Sequence, residues 1–274
     1  MYSSDFTIAP KTLGEAYSAY KSVGSSVLVG GGWGLKNFIT SHYDLAIELK
    51  QLEMNYIRDD GDEIVIGAMT DLAALQRSPL IRGLGGGVLS RYVQEIQNAD
   101  MKRSVTLGGI LAYKYPFSVM LPILLSMNVD VELYDKGRMS LDDYVACPPL
   151  GELITQIAIA KERVYVEYAA LRNAQADIPY LTGAVSMRDD SWRIILGGRP
   201  SVAALAENAS ELLTEKGMAE RENAAHVASE ELDFAGDDAC SEQERRKLAI
   251  TIVRDMIKRS WKGFSRMLTS EIKK

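Results

Sequence analysis

Apolar positions change period along the chain, and the changes mark the elements. Ala16, Tyr17, Ala19 and Tyr20 recur at helical spacing behind Thr12 and Glu15, a capping box, so a helix is expected to stop near Gly24. The β-branched run Val27-Leu28-Val29 predicts a buried strand that runs into Gly30-Gly31-Gly32-Trp33-Gly34. Asp44–Leu49 and Glu63–Ala68 predict further strands around a turn at Asp59-Asp60-Gly61-Asp62, and Thr70 or Asp71 caps the next helix. Ser90–Gln97 reads as helix, and a polar break then leads to Val105-Thr106-Leu107-Gly108-Gly109. An apolar helix over Met120–Asn128, starting around Pro122, precedes an alternating strand at Asp130–Tyr134, a turn at Asp135-Lys136-Gly137 and a strand at Leu153–Ala160.

The pattern shifts near Arg163. Tyr180–Met187 and Trp192–Leu196 flank the turn Arg188-Asp189-Asp190-Ser191 and predict an antiparallel hairpin. Ser201–Lys216 reads as helix, and Ala219–Asp238 as acidic, mixed helix and loop. Ser241 and Glu244 form a second capping box ahead of a final helix. Leu248, Ile252, Met256 and Trp261 lie close to one stripe of it, widened by Val253, Ile257 and Phe264, as in a core-facing terminal helix. No internal repeat and no low-complexity segment is visible.

Length and composition narrow the functional classes. At 274 residues the chain exceeds one average domain and can bury a core without disulfide or metal staples. Its net charge of −6 argues against a dedicated nucleic-acid binder, which needs a basic face. No apolar run approaches the roughly 20 residues that span a bilayer. Met1-Tyr2-Ser3-Ser4-Asp5 has neither the charged nor the apolar region of an export signal, so a cytoplasmic location is expected. Cys147 and Cys240 read as two free thiols, too few for an iron–sulfur cluster. His42 and His226 sit in no catalytic spacing and read as surface residues.

Four glycines in five residues after a strand are the most informative local feature. Such a loop leaves successive N–H groups unobstructed, and these can form a concavity for a diphosphate; the alternative is a tight strand-to-helix turn. The order differs from G-x-G-x-x-G and lacks the P-loop lysine, which disfavours the usual Rossmann and P-loop sites. About 75 residues later, Thr106 offers a hydroxyl, and Gly108 and Gly109 offer bare amides. Two such loops, each after a buried segment, can clamp the halves of one long dinucleotide.

With these residues in hand, the chain resembles the FAD-binding medium subunit of the molybdenum hydroxylases, the xanthine dehydrogenase and carbon monoxide dehydrogenase group. Val29-Gly30-Gly31-Gly32-Trp33-Gly34-Leu35 stands where that family has its A-G-G-T-D-L loop, and Ile66-Gly67-Ala68-Met69-Thr70 matches its I-G-A-x-T strand. The stretch from Lys102 to Ala112 matches R-N-x-A-T-L-G-G-N-I-A, Pro116 through Leu125 matches P-x-S-D-x-x-P-x-L-L, and Asn128–Leu133 matches D-A-x-V-x-L. Arg172 and Asp177-Ile178 are similar to positions in the family's small C-terminal domain. Polar family positions are replaced by Gly32, Trp33, Ile110 and Val119, whereas Ser118 is kept; these changes remove side chains and leave the amides.

The resemblance implies an α+β protein: a two-subdomain FAD-binding fold of the PCMH (vanillyl-alcohol-oxidase-like) type over residues 1–162, divided at about residue 56, and a small α+β C-terminal domain with an antiparallel sheet over 163–274. It implies FAD bound by Val29, Gly30, Gly31, Gly32, Trp33, Gly34 and Leu35 on one side and by Thr106, Gly108, Gly109, Ile110 and Ser118 on the other. Ile96 and Ile154 occupy positions that pack on the flavin in relatives; read from the residues alone they are core. Trp33 is a candidate for stacking on a ring, or only for covering the loop. The implied partners are a molybdopterin-binding large subunit and a [2Fe–2S] small subunit, with NAD+ or another acceptor receiving the electrons. Two other readings stay open: a flavin-poor structural or assembly subunit, and a stand-alone flavin oxidoreductase.

Overall fold

The computed structural model describes residues 2–39, 41–174, 177–189 and 191–272; Asp190 of the expected hairpin turn lies outside them. The chain forms two compact units, each assembled from three stretches. The first gathers Met1–Ile81, Val93–Tyr113 and Val129–Ala160, and the second Arg82–Tyr92, Lys114–Asn128 and Lys161–Lys274.

The first unit holds two sheets. Strands β1 (Ser3–Ile8), β2 (Ser26–Val29) and β3 (His42–Glu48) make a parallel sheet in the order β1-β3-β2. The helix Leu13–Ser22 connects β1 to β2 and starts at Thr12, whose Oγ1 accepts the Glu15 N–H, as the capping box predicts. β1 carries no apolar alternation and is exposed at nearly every position, which is why the sequence pattern passes over it; its pairing with β3 makes it a strand. Strands β4 (Ile57–Asp60), β5 (Glu63–Gly67), β6 (Val129–Leu133), β7 (Gly137–Ser140) and β8 (Ile154–Ala160) form an antiparallel sheet in the order β4-β5-β8-β6-β7. In β6, Val129, Val131 and Leu133 turn inward while Asp130 and Glu132 face away. Arg138 on β7 then bridges Asp130 at 2.7 Å and Glu63 at 2.9 Å across the sheet.

The second unit is built on an antiparallel sheet of β9 (Val164–Leu171), β10 (Leu181–Arg188), β11 (Ser191–Gly197) and β12 (Ala204–Leu205), ordered β12-β11-β10-β9. The helices Glu207–Lys216, Arg221–Glu231 and Glu242–Ile272 supply the rest of its core. Val185, Met187, Ile194 and Leu196 of the sheet share that core with Ala224, Ala225 and Ala228, whose small side chains suit a tightly packed face, and with Val253, Met256 and Ile257. The helix expected from Ser201 begins only at Glu207, because Ala204 and Leu205 pair instead with the open edge of β11. The stripe on the terminal helix also needs correction. Trp261 is 43% exposed, and the neighbouring Ser260 is buried, its hydroxyl donating to the Val185 carbonyl at 2.8 Å. Two buried arginines tie the loops to this core. Arg199 donates to the Leu196, Val202 and Asp233 carbonyls; Arg245 donates to Tyr180 and Ala235 and lies 2.8 Å from Asp237. Among the described residues no helix is long and apolar enough to cross a membrane.

Candidate functional site, the convergent glycine loops

Three segments distant in sequence meet in the first unit. The turn after β5 is zipped to the segment before the second glycine pair. The Gly108 N–H donates to the Ala68 carbonyl at 2.8 Å, the Leu107 N–H to Thr70 at 2.9 Å, and the Leu72 N–H to Val105 at 3.2 Å. Thr70, fully buried, extends the tie to residue 56: its hydroxyl donates to the Tyr56 carbonyl and accepts the Tyr56 N–H. Asp71 caps the helix Leu72–Arg77 by accepting the Ala74 N–H at 2.7 Å.

The first glycine loop lies directly on this knot. A Cβ built on Gly31 would sit 1.7 Å from the Ser104 carbonyl oxygen, and one on Gly30 would sit 2.9 Å from Thr106 Oγ1. Only glycine allows that approach. Gly32 follows with φ of +75°, in the left-handed region, and serves as N-cap of the helix Trp33–Phe38 with no side chain capping it. The first-turn amides of that helix, Trp33, Gly34 and Leu35, have no intrahelical acceptor by construction. Gly34 lies against the Tyr113 ring, whose phenol is pushed up by burial. The whole stretch between Glu15 and Asp44 lacks an acidic residue and carries Lys21 and Lys36.

The second pair is differently placed from what bare amides suggest. Gly108 spends its N–H on Ala68, and Gly109 donates to Thr106 Oγ1 at 3.2 Å, so neither amide is free. Gly108 is glycine because a Cβ would meet Ala68 Cβ at 2.7 Å. Thr106 is buried, and Ile110 is half-buried and continues the helix Leu107–Tyr113. The two loops therefore act unequally: the first presents amides, and the second holds the first in place.

Of the remaining expected residues, Ile154 is buried in β8, where it pairs with Leu133, and Ile96 is half-buried just past the helix Val88–Glu95. Ser118 belongs to the second unit, where its hydroxyl accepts the Leu121 N–H and its carbonyl takes the Thr182 hydroxyl at 3.1 Å. Ser104 and Ala68 shape the site without having been singled out. Ser104 acts through its main-chain carbonyl, which leaves no signal in residue type, and Ala68 through its carbonyl and its small Cβ together.

The donor set of the first loop fits the diphosphate of a dinucleotide. It combines main-chain N–H groups around a left-handed glycine with a helix start, and the aliphatic end of Lys36 lies near Gly32.

Known proteins resemble this chain in sequence and in fold. The chain is 32% identical over 164 residues to the uncharacterized protein YgfM of Escherichia coli (strain K12), a match covering 58% of this chain and 60% of that protein. It is 29% identical over 113 residues to the carbon monoxide dehydrogenase medium chain of Hydrogenophaga pseudoflava, covering 39% of each. The chain thus spans about 60% of the length of the first of these relatives. Among solved structures, a carbon monoxide dehydrogenase from Hydrogenophaga pseudoflava lacking the Mo-pyranopterin moiety superposes with a TM-score of 0.84 at 23% identity, covering 94% of this chain and 97% of that one. Quinoline 2-oxidoreductase from Pseudomonas putida 86 gives 0.82 at 20% identity, covering 96% and 97%. These likenesses establish the fold, and the family model for the FAD binding domain in molybdopterin dehydrogenase matches residues 3–161. The chain belongs to that family, the FAD-binding domains of molybdopterin dehydrogenases.

Proposed function

We propose that this chain is the FAD-binding electron-transfer subunit of a molybdenum hydroxylase complex of the xanthine dehydrogenase type. A molybdopterin-binding large subunit oxidises the substrate, a [2Fe–2S] small subunit relays the electrons, and NAD+ or another acceptor takes them from this chain. The observation that carries the reading is the seating of Gly30 and Gly31 on Ser104 and Thr106, which fixes a run of bare amides at the start of a helix. In this reading Val29 to Leu35 hold the diphosphate. Thr106, Gly108, Gly109 and Ile110 form the wall behind it. Ile96, Ser118 and Ile154 are assigned to the flavin end on the resemblance alone. When bound, FAD supplies a redox group that takes electrons singly and releases them in pairs. The chain's own part is placement: the amides orient the diphosphate, and the positive start of the helix offsets its charge.

Gly34→Asp tests the loop. A carboxylate in a first helical turn favours the helix, so the fold is retained, yet it repels a diphosphate held by the same amides. The visible spectrum of the chain, purified with its complex, should show bound flavin in the parent and lose it in the variant. A colourless parent, or a variant with undiminished flavin, overturns the assignment.

The committed amides of Gly108 and Gly109, with the apolar Ile110, favour one second reading, a structural or assembly subunit with little flavin. That reading predicts a colourless chain whose removal dissociates the complex. A stand-alone flavin oxidoreductase would instead consume NADH with an artificial acceptor in the absence of any partner.

A further inference from the structure

The parallel register of β1 and β3 sets Ser3 beside His42 and Phe6 beside Leu45, so Asp5 and Asp44 stand at the same level between them. Side chains two apart on a strand share a face, so Ser3, Asp5, His42 and Asp44 project from one side of this strand pair. Ligating atoms of Asp5, His42 and Asp44 all lie within 4.8 Å of one another. The imidazole is already aimed: Ser3 Oγ lies 2.9 Å from Nδ1, and Nε2 is turned toward Asp5 Oδ1 at 3.2 Å. An oxygen partner on one ring nitrogen, with the other facing carboxylates, is the arrangement that orients a metal-ligating histidine. Two carboxylates at one level of neighbouring strands repel each other unless a cation lies between them.

We propose that Asp5, His42 and Asp44 bind one divalent transition-metal ion, with Zn2+ the natural probe, and that Ser3 positions the imidazole. One imidazole and two carboxylates suit Zn2+ and its first-row neighbours, whereas Ca2+ and Mg2+ take oxygen ligands only. The side chains of Asp5 and His42 are both 57% exposed, which leaves coordination positions for water. The site is remote from the glycine loop. It sits at the start of β3, while Val29, the last residue before that loop, pairs with Glu48 at the strand's other end. Six residues of strand separate the two, roughly 20 Å. The ion would brace the exposed edge strand β1 against β3 and take no part in redox chemistry.

Equilibrium dialysis of the chelator-stripped full chain against Zn2+, read by atomic emission, tests this. The parent should retain one Zn2+ per chain. His42→Ala and Asp44→Asn should each weaken retention at least about tenfold and leave the circular dichroism and the flavin absorbance unchanged. His226→Ala, at the other exposed histidine, should bind as the parent does. A parent that retains no Zn2+, or a His42→Ala chain with the parent's affinity, overturns the proposal. A parent that retains Zn2+ but carries no flavin counts against the flavin reading alone.

Discussion

Replacing Gly31 by alanine isolates the contact on which the loop geometry rests. The added methyl would lie 1.7 Å from the Ser104 carbonyl oxygen and 2.5 Å from its carbon, both main-chain atoms with no rotamer by which to yield. Overfilling a packed interior costs about 1–3 kcal/mol, and the rigid obstacle here points to the upper end, about 3 kcal/mol. For a protein of this size a loss of about 3 kcal/mol lowers the thermal midpoint by roughly 6–12 °C. Gly24→Ala is the control: no atom lies within 4 Å of its added methyl, so it should be neutral, or stabilise by about 0.4–1 kcal/mol through the unfolded chain. Differential scanning fluorimetry of the two variants beside the parent gives the comparison, and flavin content in the same samples shows whether separating the loops also releases the cofactor. If Gly31→Ala melts with the parent and keeps its flavin, the first loop is not seated on residue 104 and the account of the site is wrong.

Gly108→Ala should destabilise comparably, because its methyl meets Ala68 Cβ at 2.7 Å and the Ala68 carbonyl at 2.8 Å, whereas Gly109→Ala meets only the Thr106 hydroxyl and should cost less; urea midpoints rank the pair. Asp71→Ala removes the cap on the Ala74 N–H and should cost ~1 kcal/mol by the same assay. Arg245→Met strands Asp237 and the Tyr180 and Ala235 carbonyls, with a loss of about 3 kcal/mol in urea unfolding. The same pair sets an acid limit. Burial pushes the Asp237 carboxyl up, but hydrogen bonds from Arg245, Ala239 and Cys240 and the arginine charge outweigh it and hold the carboxyl below its ordinary value. A depressed folded-state value means stability fully present above the ordinary carboxylate range and lost as pH falls through the folded value. Asp237→Asn should flatten the fall in thermal midpoint between neutral and acid pH.

How far the sequence could be read depended on whether a feature was local. The β5 and β8 runs and the β10–β11 hairpin announce themselves through β-branched residues and alternation, and Thr12, Asp71 and Ser241 mark helix starts through their own side chains. β1 was invisible because its neighbours, not its pattern, make it a strand, and β12 displaced the first part of an expected helix by edge pairing. In the site, the glycine positions are legible, but which amides are committed depends on the pairing of residues 68–72 with 105–108, about 37 residues apart. Trp261 looked like core because stripe arithmetic cannot distinguish positions 260 and 261 so far along a helix of 31 residues.

The discontinuity of the second unit bears on how the chain is made. The segment Met120–Leu125, every residue of it buried, leaves the ribosome well before β10 and β11, which lie next to it in the finished fold. During synthesis that greasy stretch must wait uncovered until some sixty more residues have emerged, an interval in which non-local topologies are most prone to aggregate. Expression at lower temperature or with a holding chaperone should therefore raise soluble yield, and a fragment ending near residue 162 would carry the same sticky segment permanently unshielded.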